Sequence, residues 1–204
     1  PAEKKSISIR HKICEYGTGI PSILTVLFGA AYGSVNTFVA MMANEAGIEN
    51  AGLFFIVGTI FVFISRPFGG RIFDSKGGFW VILPGGILYL IGLCILISSS
   101  SLTMLLVASV FYGLGGGLLL PSLMTWMLNV VTPDRRSGAS ATFYNMLDIG
   151  TSSGIILLGS VAGSIGYVNM YFYVIAVMVI FIVFFLFNHF VLQKKQSKRK
   201  HTLA

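Results

Sequence analysis

Asp148 is the only acidic residue deep inside an apolar stretch of this 204-residue chain. It falls about ten residues, or roughly 15 Å, into a helix that begins near Gly138, close to the middle of a bilayer. A charged carboxylate at that depth costs about 2.5 to 3.5 kcal/mol on insertion scales, so it must face protein or water rather than lipid. At the helical angle of about 100° per residue, Tyr144, Asn145, Thr151 and Ser152 fall within about 60° of it and form a polar stripe, whereas Gly150 and Gly154 point elsewhere as a close-packing face. A carboxyl so surrounded suits proton carriage or contact with a cationic substrate. A neutral acid hydrogen-bonded to Asn145 or Tyr144 for packing alone is the other use of the same residues.

Catalytic chemistry has no such place. His11 and His201 lie in polar tails and His189 at the end of the last apolar run, so neither a nucleophile with its base nor a set of metal ligands sits at membrane depth. No HExxH, GxSxG or paired acidic motif occurs. Glu45 and Glu49 are expected to be solvated in a connection. Cys14 belongs to a polar segment and Cys94 to an apolar one, which gives neither a disulfide nor metal-ligand spacing. The chain is therefore not expected to be an enzyme or to hold a cofactor or metal.

The elements that must position Asp148 follow from composition. Hydrophobic residues make up 55% of the chain and charged residues 10%, with a mean hydropathy of +0.84, against about a quarter charged in a soluble domain. Disorder and a soluble fold are both excluded, and runs such as residues 168–191 lack the alternation that a membrane β-barrel needs. Six apolar segments are predicted to be transmembrane helices, over about 21–42, 46–66, 79–97, 102–128, 138–165 and 168–191. The second is the weakest, because its uncharged part is only 51–65. Short connections predict that consecutive helices are antiparallel neighbours. The chain thus divides into a juxtamembrane segment (1–19), a six-helix bundle (20–191) and a basic tail (192–204). Residues 1–19 are polar and the first apolar run outlasts a signal sequence, so no cleavable signal is expected; the start at Pro1 reads as a fragment or processed product.

The net charge of +7 would suggest a nucleic-acid partner in a soluble protein, but here its distribution decides otherwise. Lys4, Lys5, Arg10 and Lys12 precede the first helix. Arg66, Arg71 and Lys76 lie between the second and third, Arg135 and Arg136 between the fourth and fifth, and Lys194, Lys195, Lys198, Arg199 and Lys200 after the sixth. The three other connections carry none. With six crossings every cation is on one side, which the positive-inside rule makes the cytoplasm, together with both termini. Trp80 and Trp126 fall at helix ends on that side, as interfacial residues do. Tyr32-Gly33 and Tyr112-Gly113 recur in helices one and four, which run in opposite directions, as in a three-plus-three inverted repeat.

The stretch from Ser65 to Gly78 combines spacing with topological position. It resembles G-x-L-x-D-R-x-G-R-R, the motif between the second and third helices of each six-helix half in the major facilitator superfamily of transporters. Gly70, Ile72, Asp74 and Gly77 match; Ser75 replaces a basic residue, Lys76 is one place late, and Gly78 and Phe79 replace the closing basic pair. This degeneracy, and the preceding Arg66-Pro67 with Gly69-Gly70, resemble the copy in the C-terminal half. Val131 to Gly138 is similar to the basic loop between helices ten and eleven. The segment is expected to turn after Pro67 with Gly69 and Gly70 closely approached. Asp74 either pairs with Arg71 or approaches a neighbouring helix N-terminus. The resemblance favours the second, making Arg66, Gly70, Arg71, Asp74 and Gly77 a latch on the cytoplasmic face, against a solvated turn with a local ion pair worth under about 1 kcal/mol.

The resemblance implies an all-α membrane protein that is half of a twelve-helix fold, with an N-terminal six-helix half, the bilayer, protons and a small molecule as partners and no nucleic acid. It makes helix one the seventh, which lines a central cavity. Thr25, Gly29, Tyr32, Gly33, Asn36 and Ala40 share a narrow stripe there. Tyr32 and Asn36 offer substrate hydrogen bonds, or the stripe is interhelical packing. In helix four Tyr112 precedes Gly113, Gly115, Gly116, Gly117 and Pro121, which mark close contact or a bend. Asp148 either pairs with the other half or stays protonated. The function implied is proton-coupled efflux of small amphiphilic, drug-like compounds across the plasma membrane. The alternatives are a proton-driven metabolite importer and a non-transporting interaction or assembly fragment.

Overall fold

The computed structural model describes residues 17–202; the basic N-terminal segment with Lys4, Lys5, Arg10, Lys12 and Cys14 lies outside the described residues. No water reaches the backbone inside a bilayer, so each apolar run must close its N–H and C=O groups within itself. All six runs do so as helices: α1 (Gly19–Glu45), α2 (Leu53–Lys76), α3 (Phe79–Ile97), α4 (Leu102–Asn129), α5 (Arg136–Ile165) and α6 (Tyr167–Thr202), with a 3-10 turn at Pro133–Arg135 before α5. Each is long and apolar enough to cross a membrane. No strand occurs among the described residues.

The second helix corrects the expected boundaries at both ends. Residues 46–52 are a connection closed by backbone bonds from Gly47 to Asn44 and from Ile48 to Ala43, with Gly47 and Asn50 at positive φ. At the other end α2 does not turn after Pro67 but continues to Lys76, leaving only Gly77 and Gly78 before α3. Proline removes one hydrogen bond, yet a break there would strand several more. The continued turns also pack on α4, where a Cβ at Gly69 would lie 3.0 Å from Leu118 Cδ2. Gly70 has open space beside it, so the close approach belongs to Gly69 alone.

Sequence neighbours pack closely only at α3–α4, and the other two extensive contacts join helices distant in sequence. α1 lies along α5, and α4 along both α2 and α3, whereas α1 and α2 have no close backbone approach. Exchanging α1–α3 for α4–α6 turns the α1–α5 contact into the α4–α2 contact, and the α3–α4 contact into the α6–α1 contact, all of which are made. With helix direction reversed between the triplets, this is a three-plus-three inverted repeat. An aromatic core ties the triplets together: Phe28 meets Tyr89 at 5.4 Å and Phe181 at 6.5 Å between ring centroids. Beyond α4, Trp126 sets its ring edge-on to Phe185, which stacks on Phe79.

Glu45 is not merely solvated. It is the last residue of α1, and its Oε2 accepts the Tyr167 N–H at 2.7 Å, the first free donor of α6. Gly166, the single residue between α5 and α6, has φ +86, and a Cβ there would meet Glu45 Oε1 at 2.6 Å. Gly166→Ala is therefore expected to cost about 1 to 2 kcal/mol through the left-handed backbone alone, and Glu45→Ala about 1 kcal/mol through the lost cap. Thermal unfolding in neutral-detergent micelles measures both. An unchanged midpoint for Gly166→Ala would show that the α5–α6 turn is remade at no cost.

Candidate functional site

Midway along α1, one hydrogen-bonded cluster joins residues far apart in the chain. The Asn36 side-chain amide donates to the Tyr32 carbonyl oxygen at 2.8 Å, which helical geometry supplies, and to the Tyr112 hydroxyl of α4 at 2.9 Å. Both amide protons are thereby used, which leaves Asn36 Oδ1 as an acceptor. The Tyr32 and Tyr112 rings stack with centroids 6.3 Å apart and planes 9° from parallel. Phe54 and Tyr89 each hold the Tyr112 ring from other sides at 5.2 Å. Tyr112 is buried, Tyr32 half-buried and Asn36 exposed. The two Tyr-Gly pairs read as a trace of the repeat thus meet through their tyrosines.

This cluster forms one wall of a cavity of about 250 Å³ between α1, α2 and α4. The opposite wall comes from α2, through Phe55, Thr59, Val62, Phe63 and Arg66. Those α2 residues recur at i, i+4, i+7, i+8 and i+11, one face of a helix, and that spacing was the available signal for them. It is masked by an apolar run whose uncharged part is short. Arg66 stands in this cavity wall with its guanidinium carbon 5.7 Å from the Phe63 ring centroid, a position distinct from the cluster of residues at the end of α2.

The small residues of the α1 stripe do something else. Thr25 bonds back to the Pro21 carbonyl oxygen, and a Cβ at Gly29 would lie 2.8 Å from the Leu147 carbonyl oxygen, so this part of the stripe packs on α5. Gly33 faces Thr151 in the same way, and the Thr151 hydroxyl donates to the Gly29 carbonyl oxygen at 3.3 Å. Only Tyr32 and Asn36 of the stripe line the cavity.

Asp148, near the middle of α5, is exposed, as are Tyr144, Asn145 and Ser152 on the same side of the helix. It makes no hydrogen bond or ion pair among the described residues, so the bond to Asn145 or Tyr144 that a packing role would use is not formed. It does not line the cavity of Tyr32, Asn36 and Tyr112. Gly150 and Gly154 do form the close-packing face, directed at the Val26 and Ala30 carbonyl oxygens of α1.

At the α2–α3 end, Arg71 and Asp74 are exposed on the last turns of α2, Gly70 is exposed, and Gly77 ends the helix at φ +88. No Asp74–Arg71 pair forms among the described residues. A free carboxylate near a helix C-terminus meets the negative end of the dipole and gains nothing from its own helix.

Fold and site together define a polytopic membrane bundle of two inverted three-helix repeats with a largely apolar cavity between α1, α2 and α4. The family model for the Major Facilitator Superfamily matches residues 22–203, and the chain belongs to that superfamily. The proton-coupled antiporter flippase LtaA of Staphylococcus saprophyticus is 29% identical over 146 residues, 70% of this chain and 37% of that protein. LtaA of Staphylococcus aureus (strain USA300) is 25% identical over 185 residues, 87% of this chain and 46% of that protein. A solved structure of a mutant peptide transporter POT in complex with alafosfalin shares the fold with a TM-score of 0.69 at 20% identity, over 91% of this chain and 42% of that one. The chain spans less than half the length of these relatives.

Proposed function

We propose that this chain is the C-terminal six-helix half of a twelve-helix, proton-coupled transporter that exports small amphiphilic compounds across the plasma membrane, with both termini cytoplasmic. The observation that carries the reading is the cavity between α1, α2 and α4, where the Asn36–Tyr112 pair leaves the Asn36 Oδ1 acceptor beside aromatic and aliphatic walls. A few placed polar groups in an apolar pocket suit a ligand with a small polar head and an apolar body. The exposed Asp148 supports a second half, because it is a carboxylate on a surface that lipid would not cover at little cost. Asp74, with Gly70, Arg71 and Gly77 in the motif, then serves the latch, and alternating access arises as the two halves rock about the site between them. The likeness to the proton-coupled antiporter flippase LtaA favours a specific form of this function in which the amphiphile passes from one leaflet to the other.

The test uses proteoliposomes holding the chain together with its N-terminal half. Vesicles buffered acidic inside are expected to accumulate an amphiphile against its gradient, and a protonophore to abolish the accumulation. Asn36→Leu combined with Tyr112→Phe removes the polar groups of this pair and is expected to lower the initial rate by about tenfold or more. Accumulation only when the outside is acidic would establish import instead. No gradient-driven flux in either direction would overturn the transport reading.

A further inference from the structure

Resting on that transport reading, we infer that the cavity selects amphiphiles with an anionic head group, carboxylate or phosphate, and that Arg66 is the residue that selects them. Arg66 is the only charged side chain in the cavity wall. Its planar guanidinium presents five N–H donors in a fixed fork, and it has no acidic partner among the described residues. Its side chain is exposed and borders the cavity. It lies ten residues before Lys76, the end of α2, about 15 Å along the helix axis.

The guanidinium sits over the Phe63 ring. Its N–H donors make no hydrogen bond among the described residues, and a planar guanidinium can meet a carboxylate or phosphate with two parallel hydrogen bonds. The rest of the wall is what a tail requires. From Phe55 to Arg66 the α2 side of the cavity extends about 16 Å along the helix, with Phe55 and Val62 facing Tyr32 and Leu120. Neither Asp148 nor Asp74 lines this space, so a cationic head would meet Arg66 with no compensating carboxylate and a neutral head would gain no charge-assisted bond. Like-charge juxtaposition in a site of low dielectric is a strong rejecting element.

The experiment separates head, tail and residue, and reads binding rather than transport. The chain is purified in maltoside micelles, with and without its N-terminal half. Its thermal midpoint is followed against dodecyl phosphate, dodecyltrimethylammonium, dodecanol and inorganic phosphate. Dodecyl phosphate is expected to bind about tenfold tighter than dodecanol, as one charge-assisted contact allows, and dodecyltrimethylammonium more weakly than either. Arg66→Gln should erase the anion preference, Arg66→Lys retain part of it, and Arg66→Glu reverse it. Helix content by circular dichroism identifies any variant that fails to fold, and the lysine variant keeps the charge and stem if the others fail. Equal binding of the three head groups, or a preference unmoved in Arg66→Gln, would overturn the inference. So would inorganic phosphate binding as tightly as dodecyl phosphate, which would make this a simple anion site. Failure of gradient-driven flux with the anion preference intact would count against the transport reading alone.

Discussion

Asp148→Asn is expected to fold and reach the membrane but to lose accumulation driven by a pH gradient, by at least about tenfold, while exchange of substrate down its own gradient survives. The expectation rests on depth and exposure. Asp148 lies near the middle of α5 (Arg136–Ile165), is exposed, and has no hydrogen-bond or ion-pair partner among the described residues. An ionised carboxylate facing lipid there would cost about 2.5 to 3.5 kcal/mol, so this side of α5 belongs against water or protein. In that setting a carboxyl can gain and lose a proton as access alternates. The amide has the same shape and cannot do so. Asp148→Glu should restore part of the coupling, which separates a titrating role from one of shape. Measurements in proteoliposomes, with and without the gradient, give the split directly. Unchanged accumulation and unchanged pH dependence in Asp148→Asn would leave the residue without a part in coupling.

Gly150→Val is expected to prevent the bundle from forming. The α1–α5 seam is built on missing side chains: a Cβ at Gly150 would run into the Val26 carbonyl oxygen, and one at Gly154 into that of Ala30. Both obstacles are backbone of a facing helix, which cannot rotate away as a side chain would. The helices must part instead, giving up contacts on both sides. Within lipid, packing and close backbone approach supply much of helix association, since burial from water no longer does. The cost is about 3 kcal/mol or more, at the upper end of overpacking effects. Gly163→Ala, on the same helix with nothing within 4 Å of the added Cβ, is the control and should be neutral or stabilising by up to about 1 kcal/mol. Yield of monodisperse protein after detergent extraction reads the difference. A monodisperse Gly150→Val protein with a normal thermal midpoint would mean that the seam is looser than the glycine contacts require.

The six crossings were legible because hydrophobic length is a one-dimensional property and the lipid solvent leaves a backbone few alternatives. The close-packing role of Gly150 and Gly154 was legible for a related reason, since small residues one turn apart share a helix face. Where reading failed, a local rule met a non-local constraint. Pro67 is a sound local signal for ending a helix, yet α2 continues past it because α4 receives the following turns and the bilayer penalises a broken ladder. Glu45 reads as an acid in a connection, and only the return of the chain at Gly166 brings the first N–H of α6 to it.

Sequence alone determined the number of helices and the membership suggested by the motif from Ser65 to Gly78. It also marked Asp148 as the one acid at depth. Tertiary structure alone decided which of the polar residues meet. Tyr32 and Asn36 are 76 to 80 positions from Tyr112, and nothing in their spacing tells whether a stripe on α1 packs on α5 or opens on a cavity. The structure divides that stripe, with Gly29 and Gly33 against α5 and Tyr32 and Asn36 in the cavity wall, and it moves Arg66 from the loop motif to the same wall. The physical reason is that helical periodicity fixes the angle between side chains on one helix, while the direction in which that angle points is set by whichever helices pack around it.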